Sequence, residues 1–155
     1  MDEVKVTGTE SKDELMQFIV VKIGNEQYGI NIKYIDNIGK VQKITRVPKS
    51  QKYYKGVINL RGEIVPVMSI RLKLGLENDD FTDKSRIIIL KVENATVGVI
   101  VDQVREVVTL SEESIETVAH NINDDSSNYI SGIGKSKGEL ISLLDIVTLV
   151  VEKEN

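Results

Sequence analysis

The 155-residue chain contains no cysteine, which removes disulfides, thiolate nucleophiles and cysteine-built zinc sites. It has one histidine, His120. With no second histidine to join it, His120 builds neither a metal shell nor a catalytic triad, and it reads as a solvated surface residue. Aromatic residues make up only 5% of the chain. The core must therefore be aliphatic, and valine and isoleucine favour strands. No apolar run approaches the roughly 18 residues of a membrane-spanning helix, and no secretory signal opens the chain. A soluble cytoplasmic protein without membrane insertion is the expectation, and the Asn94-Ala-Thr glycosylation triplet is a chance match. Positive charge is also in deficit: the net charge is −4 and the pI about 5.1. That disfavours nonspecific nucleic-acid binding, which depends on phosphate neutralisation. One local basic patch remains compatible with it.

What the chain does have is an internal echo. Gly56-Val-Ile-Asn-Leu-Arg-Gly-Glu-Ile-Val-Pro-Val-Met68 returns in weaker form from Gly132 to Leu144. A step of 76 pairs Gly56 with Gly132, Gly62 with Gly138 and Ile64 with Leu140. A second echo at a step of 69 pairs Gly29 with Gly98, Ile35 with Val104 and Ile38 with Val107. Two ordered echoes indicate that a small β unit was duplicated.

Turn residues punctuate short apolar runs throughout. Met16–Ile23 and Gln27–Ile32 read as a hairpin across Gly24. The spacing Ile32, Ile35, Ile38 fits a helical turn. Val41–Val47 reads as a strand ended by Pro48. Tyr54–Leu60 and Glu63–Met68 form a hairpin in which Gly62 supplies positive φ. Pro66 places the return strand at an edge or a bulge. Ser69–Leu74 is a short helix, and Glu77–Lys84 is a linker. In the second half, strands are expected at Arg86–Val92, Thr96–Val101, Val107–Leu110, Ser114–Val118, Tyr129–Ile133 and Glu139–Leu144. His120–Asn128 is a polar loop. Asp145 caps a final helix over residues 146–153. The fold class is all-β with minor α: two small five-stranded barrels from the duplication, plus a C-terminal helix. The first barrel is expected at about residues 16–76 and the second at about 85–145. Neither half is large enough for a robust core alone, so they should pack together as one domain over residues 1–155.

No residue set supplies a nucleophile with its base, a metal shell or a cofactor cradle. Gly134-Lys135-Ser136 resembles the end of a phosphate-binding loop, but Tyr129 occupies the glycine position and a strand follows. Asp79, Asp80 and Asp102 would suit a Mg²⁺ or phospho-acceptor site only in a parallel β/α sheet. Asp102 reads as a cap for the turn after it. Tyr53, Tyr54, Lys49, Lys52, Lys55 and Arg61 could serve a barrel-type nucleic-acid binder, but acidity and the lack of further aromatics oppose that. Arg61 is the sharpest single residue. It is either an interface contact or an internal brace, and its counterpart is Lys137. A protein-binding module, not an enzyme and without cofactor or metal, is what remains.

Gln27-Tyr-Gly-Ile-Asn-Ile32, the Gly56–Val67 block, Val97-Gly-Val-Ile-Val-Asp102 and Tyr129-Ile-Ser-Gly132 together resemble the CheW family of chemotaxis coupling proteins. The resemblance runs from about Phe18 to Val151. It implies two intertwined SH3-like five-stranded barrels around a hydrophobic zone between them. It also implies a non-catalytic adaptor that joins methyl-accepting chemoreceptors to the regulatory domain of the histidine kinase CheA, at receptor arrays. By position, Ile35, Gly56, Arg61 and Ile87 match the receptor-binding residues of the family. Val41 and Ile44 are expected at the kinase-facing end of the first barrel. Asn37 departs from the pattern, because some relatives carry an acid there. A CheW-like regulatory fragment of a chemotaxis kinase, or of a CheV-type fusion, is the nearest alternative. A nucleic-acid or ligand-binding barrel is more remote.

Overall fold

A computed structural model describes residues 14–118 and 128–151. His120, most of the expected polar loop and the last residues of the expected final helix lie outside them. The described residues form eleven strands: β1 (Leu15–Ile23), β2 (Glu26–Asn31), β3 (Ile35–Lys40), β4 (Tyr54–Leu60), β5 (Glu63–Ser69), β6 (Arg86–Val92), β7 (Ala95–Val101), β8 (Gln103–Ser111), β9 (Glu116–Thr117), β10 (Ile130–Ser136) and β11 (Glu139–Leu144). Two short helices, α1 (Ile70–Lys73) and α2 (Ile146–Val150), follow β5 and β11. Ser69 caps α1 by accepting from the Leu72 N–H, and Asp145 caps α2 by accepting from the Thr148 N–H. Both caps satisfy donors that a helix start leaves open.

The hairpins form where the turn chemistry places them. Arg61 (φ 53°) and Gly62 (φ 84°) both lie in the left-handed region, as do Lys137 (φ 55°) and Gly138 (φ 81°). Two positive φ values in a two-residue turn match the right-handed twist of the flanking strands. Pro66, however, is neither at an edge nor at a bulge, since β5 lies between β4 and β7. Its partner Val57 turns both backbone polar groups to Thr45, away from β5. The proline nitrogen therefore faces β7, whose parallel pairing begins only at Val67. No ladder bond is lost.

The strands assemble into two sheets, ordered β8-β1-β2-β11-β10-β9 and β3-β6-β7-β5-β4. These are not the sequential barrels 16–76 and 85–145. Each sheet takes one hairpin from each half of the chain, and the hairpins β1–β2 and β6–β7 are exchanged: β1–β2 joins β8–β11, and β6–β7 joins β3–β5. Nor are the sheets equal, because the first has six strands, including the two-residue β9. The expected strand over Val41–Val47 is reduced to a single bridge from Thr45 to Val57, the counterpart of β9 on β10. The expected helical turn at Ile32–Ile38 is a 3-10 turn only over Ile32–Tyr34, after which β3 begins. The duplication survives in the pairing itself. Gly29 sits opposite Leu143 in the first sheet and Gly98 opposite Val67 in the second, both in parallel.

Three aliphatic clusters explain the exchange. Phe18, Val20, Val108, Leu110, Ile141 and Leu143 fill the concave side of the first sheet. Ile58, Val65, Val67, Ile87, Ile89 and Ile100 fill the second. The largest cluster lies between the sheets and includes Ile30, Met68, Ile88, Leu90, Val99 and Leu149, none more than 1% exposed. β6 and β7 are buried on both faces, with Ile87 and Ile89 inward and Ile88 and Leu90 towards the other sheet. Burying each such side chain is worth roughly 1.5–3 kcal/mol. Apolar strands of both halves are thus interchangeable partners, and the arrangement that covers both faces prevails.

A polar brace closes one end. Arg71 on α1 donates from Nε and Nη2 to Asp102 at 3.1 and 2.7 Å, and the Gly24 N–H donates to the same carboxylate at 2.8 Å. Asp102 thus ties α1 to the β1–β2 turn and does not cap the segment after itself. Burial pushes the Asp102 carboxyl up. The Arg71 hydrogen bond, the Gly24 N–H and the charges of Arg71 and Lys22 outweigh that and hold it below the ordinary 3.8. Asp79 behaves oppositely. Both its oxygens are enclosed without a hydrogen-bond partner among the described residues, the nearby Ser69 hydroxyl falling short of that geometry. Burial, helped by the Asp102 charge, raises its pKa above 3.8, and the neighbouring Ser69 hydroxyl, Lys55 and Arg71 offset only part of the shift. Because the folded state holds that proton more tightly, Asp79 contributes stability below about pH 3.8 that is lost as pH rises through its folded pKa. Asp79→Asn should therefore melt higher than the parent at pH 7 and lose that advantage by about pH 4. Thermal melts across this range check it, and a pH-independent gap would contradict the assignment.

Candidate protein-docking site

The six residues singled out in the sequence do not form one patch of side chains. Ile87 is 2% exposed and points into the core of the second sheet. Gly56 is buried too. Its φ is +141°, and a Cβ there would overlap the Thr45 carbonyl oxygen and lie 3.0 Å from Ile44 Cγ2. The residue matched to the receptor site is thus packed against one expected to face the kinase. Val41 and Ile44 are half-buried and pack on the same core as Ile87. Ile35 is half-buried on β3, opposite Leu90, against the cluster between the sheets. As side chains, then, Ile87 and Gly56 can shape a docking surface but cannot touch a partner.

Arg61 differs from all of these. It is exposed at the tip of the β4–β5 turn. The turn is held without its guanidinium, because Asn59 Oδ1 accepts from the Gly62 N–H at 3.1 Å. Among the described residues, no hydrogen bond or ion pair engages the Arg61 side chain, so it is not an internal brace. The duplication gives the reason. Its counterpart Lys137 pairs with Glu106 at 3.2 Å. The position equivalent to Glu106, 69 residues earlier, is Asn37, which has no charge to offer and donates instead to Asp36 at 3.2 Å. Arg61 therefore keeps five donors in a fixed fork for an outside acceptor.

Exposed apolar side chains occur at matching places in both sheets, a feature that sequence reasoning passed over. Ile64 and Leu140 are 65% and 64% exposed, and Ile38 and Val107 are 37% and 54% exposed. The echo had paired each couple, but the pairing alone does not tell an inward from an outward face. A cleft of about 350 Å³ on the first sheet is lined in part by Met16, Phe18, Ile115 and Leu143. Among the described residues no cluster of histidine, cysteine, aspartate or glutamate is arranged to hold a metal ion. No described helix is long and apolar enough to cross a membrane.

Residues 17–154 match the CheW-like domain family. The chain belongs to the CheW family. It is 36% identical to the chemotaxis protein CheW of Bacillus subtilis, over 90% of this chain and 88% of that one. It is 34% identical to CheW of Helicobacter pylori, over 88% and 82% of the two chains. The crystal structure of scaffolding protein TtCheW from Thermoanaerobacter tengcongensis superposes with a TM-score of 0.80 at 30% identity, covering 88% of each chain. Membership in the CheW family accords with the duplicated, mostly β architecture described above, and with the intertwined arrangement that the resemblance implied.

Proposed function

We propose that this chain is a non-catalytic chemotaxis adaptor that couples methyl-accepting receptors to the kinase CheA, at receptor arrays on the cytoplasmic side of the membrane. The observation that carries the proposal is the CheW-family match over nearly the whole chain. On this reading the receptor tip contacts Arg61 and the exposed part of Ile35. Arg61 fixes register through a forked contact to a carboxylate or carbonyl. Gly56 and Ile87 hold that surface in shape from below. The regulatory domain of the kinase meets the second sheet where Val41 and Ile44 cross it. The adaptor then biases the kinase by binding one receptor–kinase geometry more tightly than another. Weak pairwise contacts suffice, since an array makes them multivalent.

Autophosphorylation of the cognate kinase, with receptor-containing membranes and with or without this protein, tests the proposal. The expected result is a rise that needs all three components and that attractant reverses. Unchanged kinase activity with folded protein and cognate partners would refute it.

A further inference from the structure

From Asn37 to Gly62 the chain carries seven basic residues and no acidic one. The remainder holds 13 basic and 24 acidic residues, a net of −11. Six of the seven fall on every third position: Lys40, Lys43, Arg46, Lys49, Lys52 and Lys55. The first five are exposed, and Lys55 is half-buried. Among the described residues none of the six makes an ion pair, and only Lys55 has a hydrogen-bond partner, the Asn78 amide oxygen at 2.6 Å. Unpaired cations this close together repel one another, and apart from Lys55, which serves Asn78 and Asp79, no described side-chain contact of the fold uses them.

The fold gathers four of them around one opening. Arg46, Lys49, Lys52 and Lys55 line a cleft of about 400 Å³, with Val47 and Tyr54 among its apolar walls. The cleft is built and not a chance gap. Thr45 is bonded to Val57 in both directions at 2.8 Å, the Tyr54 N–H donates to the Gln51 carbonyl at 3.0 Å, and Ser50 Oγ donates to the Val47 carbonyl at 2.9 Å. Four cations around an apolar floor suit a carboxylate-bearing peptide segment. Nucleic acid fits worse. Tyr53 and Tyr54 pack on each other, tilted by 43° with ring centroids 4.9 Å apart, and Tyr53 is covered by the Lys73 ammonium at 3.7 Å. Neither ring is free as a platform for bases, and the acidic remainder of the chain would repel a phosphate backbone.

We infer that the Arg46–Lys55 cleft is the docking site for an acidic segment of the kinase regulatory domain, which it steers onto the second sheet beside Val41 and Ile44. This rests on the adaptor reading and deepens it, because Val41 and Ile44 alternate with Lys40, Lys43 and Arg46 on one segment. It also supplies what those half-buried side chains lack, an exposed surface with a defined chemical preference.

The test measures association of the full-length chain with its purified cognate kinase at several salt concentrations. Between about 0.01 M and 0.15 M the screening length shortens from about 30 Å to about 8 Å. The parent should associate more slowly as salt rises. The triple variant Arg46→Glu, Lys49→Glu, Lys52→Glu should associate at least about tenfold more slowly at low salt and lose most of the salt dependence. Lys49→Arg with Lys52→Arg should behave like the parent. If the triple variant melts early, Lys49→Gln with Lys52→Gln replaces it, with a smaller loss expected. A folded charge-reversed variant that binds at the parental rate and salt dependence overturns the inference and leaves the adaptor reading standing. A parent that fails to bind the kinase at any salt overturns both. Binding of the parent, but not the variant, to a duplex DNA oligonucleotide at about 0.15 M salt overturns the assignment to a protein partner.

Discussion

Gly56→Ala should lower the melting temperature by roughly 10 °C or more, and should abolish coupling only as a consequence of that loss. At φ +141° only glycine is unstrained, which alone costs about 1–3 kcal/mol. The new methyl would overlap the Thr45 carbonyl oxygen and lie 2.7 Å from its carbon, and backbone cannot step aside as a side-chain tip can. Overpacking of this kind adds about 1–3 kcal/mol. A total near 3 kcal/mol or above is a large part of the roughly 5–15 kcal/mol that holds a domain folded, and each kcal/mol moves the midpoint of a chain this size by about 2–4 °C. Its counterpart gives an internal comparison. At Gly132 a Cβ would meet the Ile115 Cγ2 methyl at 2.8 Å and the Glu116 oxygen at 3.0 Å, without positive φ. Gly132→Ala should therefore cost clearly less. Circular-dichroism melts of both variants decide the matter. A Gly56→Ala midpoint within a degree or two of the parent would mean that the 41–47 segment swings away freely, and the packing role would be lost.

Arg61→Ala should do the reverse. The melting point should stay within about 1–2 °C of the parent, because an exposed side chain with no partner contributes within about 0.5 kcal/mol. Receptor-dependent kinase activation should nevertheless require roughly 30-fold more protein, the effect of losing an interface hot spot of about 2 kcal/mol. Lys137→Ala is the matched control. It removes the same position of the other turn, together with an exposed ion pair to Glu106 that is worth at most about 1 kcal/mol, and it should leave coupling intact. Normal coupling by Arg61→Ala would remove Arg61 from the receptor contact. A large drop in its melting point would instead give it a structural role that its exposed, unpaired side chain does not suggest. Measured side by side, Gly56→Ala and Arg61→Ala would separate a residue that shapes a surface from one that touches a partner.

Some of this was legible before any coordinates. The hairpins at Arg61-Gly62 and Lys137-Gly138, the caps at Ser69 and Asp145 and the strand character of the aliphatic runs all come from interactions within a few residues. Such interactions depend on the local sequence and little else. The echo at steps of 76 and 69 likewise foretold that two similar sheets would form and which positions would correspond. It even contained the pairing of Arg61 with Lys137 that sets Arg61 apart. What the sequence by itself determined was therefore the repertoire: which segments are strands and how their turns close.

Only the tertiary structure decided how those strands are shared. The β1–β2 hairpin leaves its own half to pair with β8 and β11, and the β6–β7 hairpin leaves its half to pair with β3 and β5. Both halves present Val- and Ile-rich strands of similar length, so local preference does not distinguish one partner from the other. The choice lies in the packed whole: β6 and β7 need cover on both faces, and the exchanged arrangement gives them a concave core on one side and the shared cluster on the other. The same physics buried Ile87, left Ile64 and Leu140 in solvent, and folded every third residue from Arg46 to Lys55 around one cleft. Which face of a strand turns inward is a property of the whole packed assembly, because a shift of one residue inverts it.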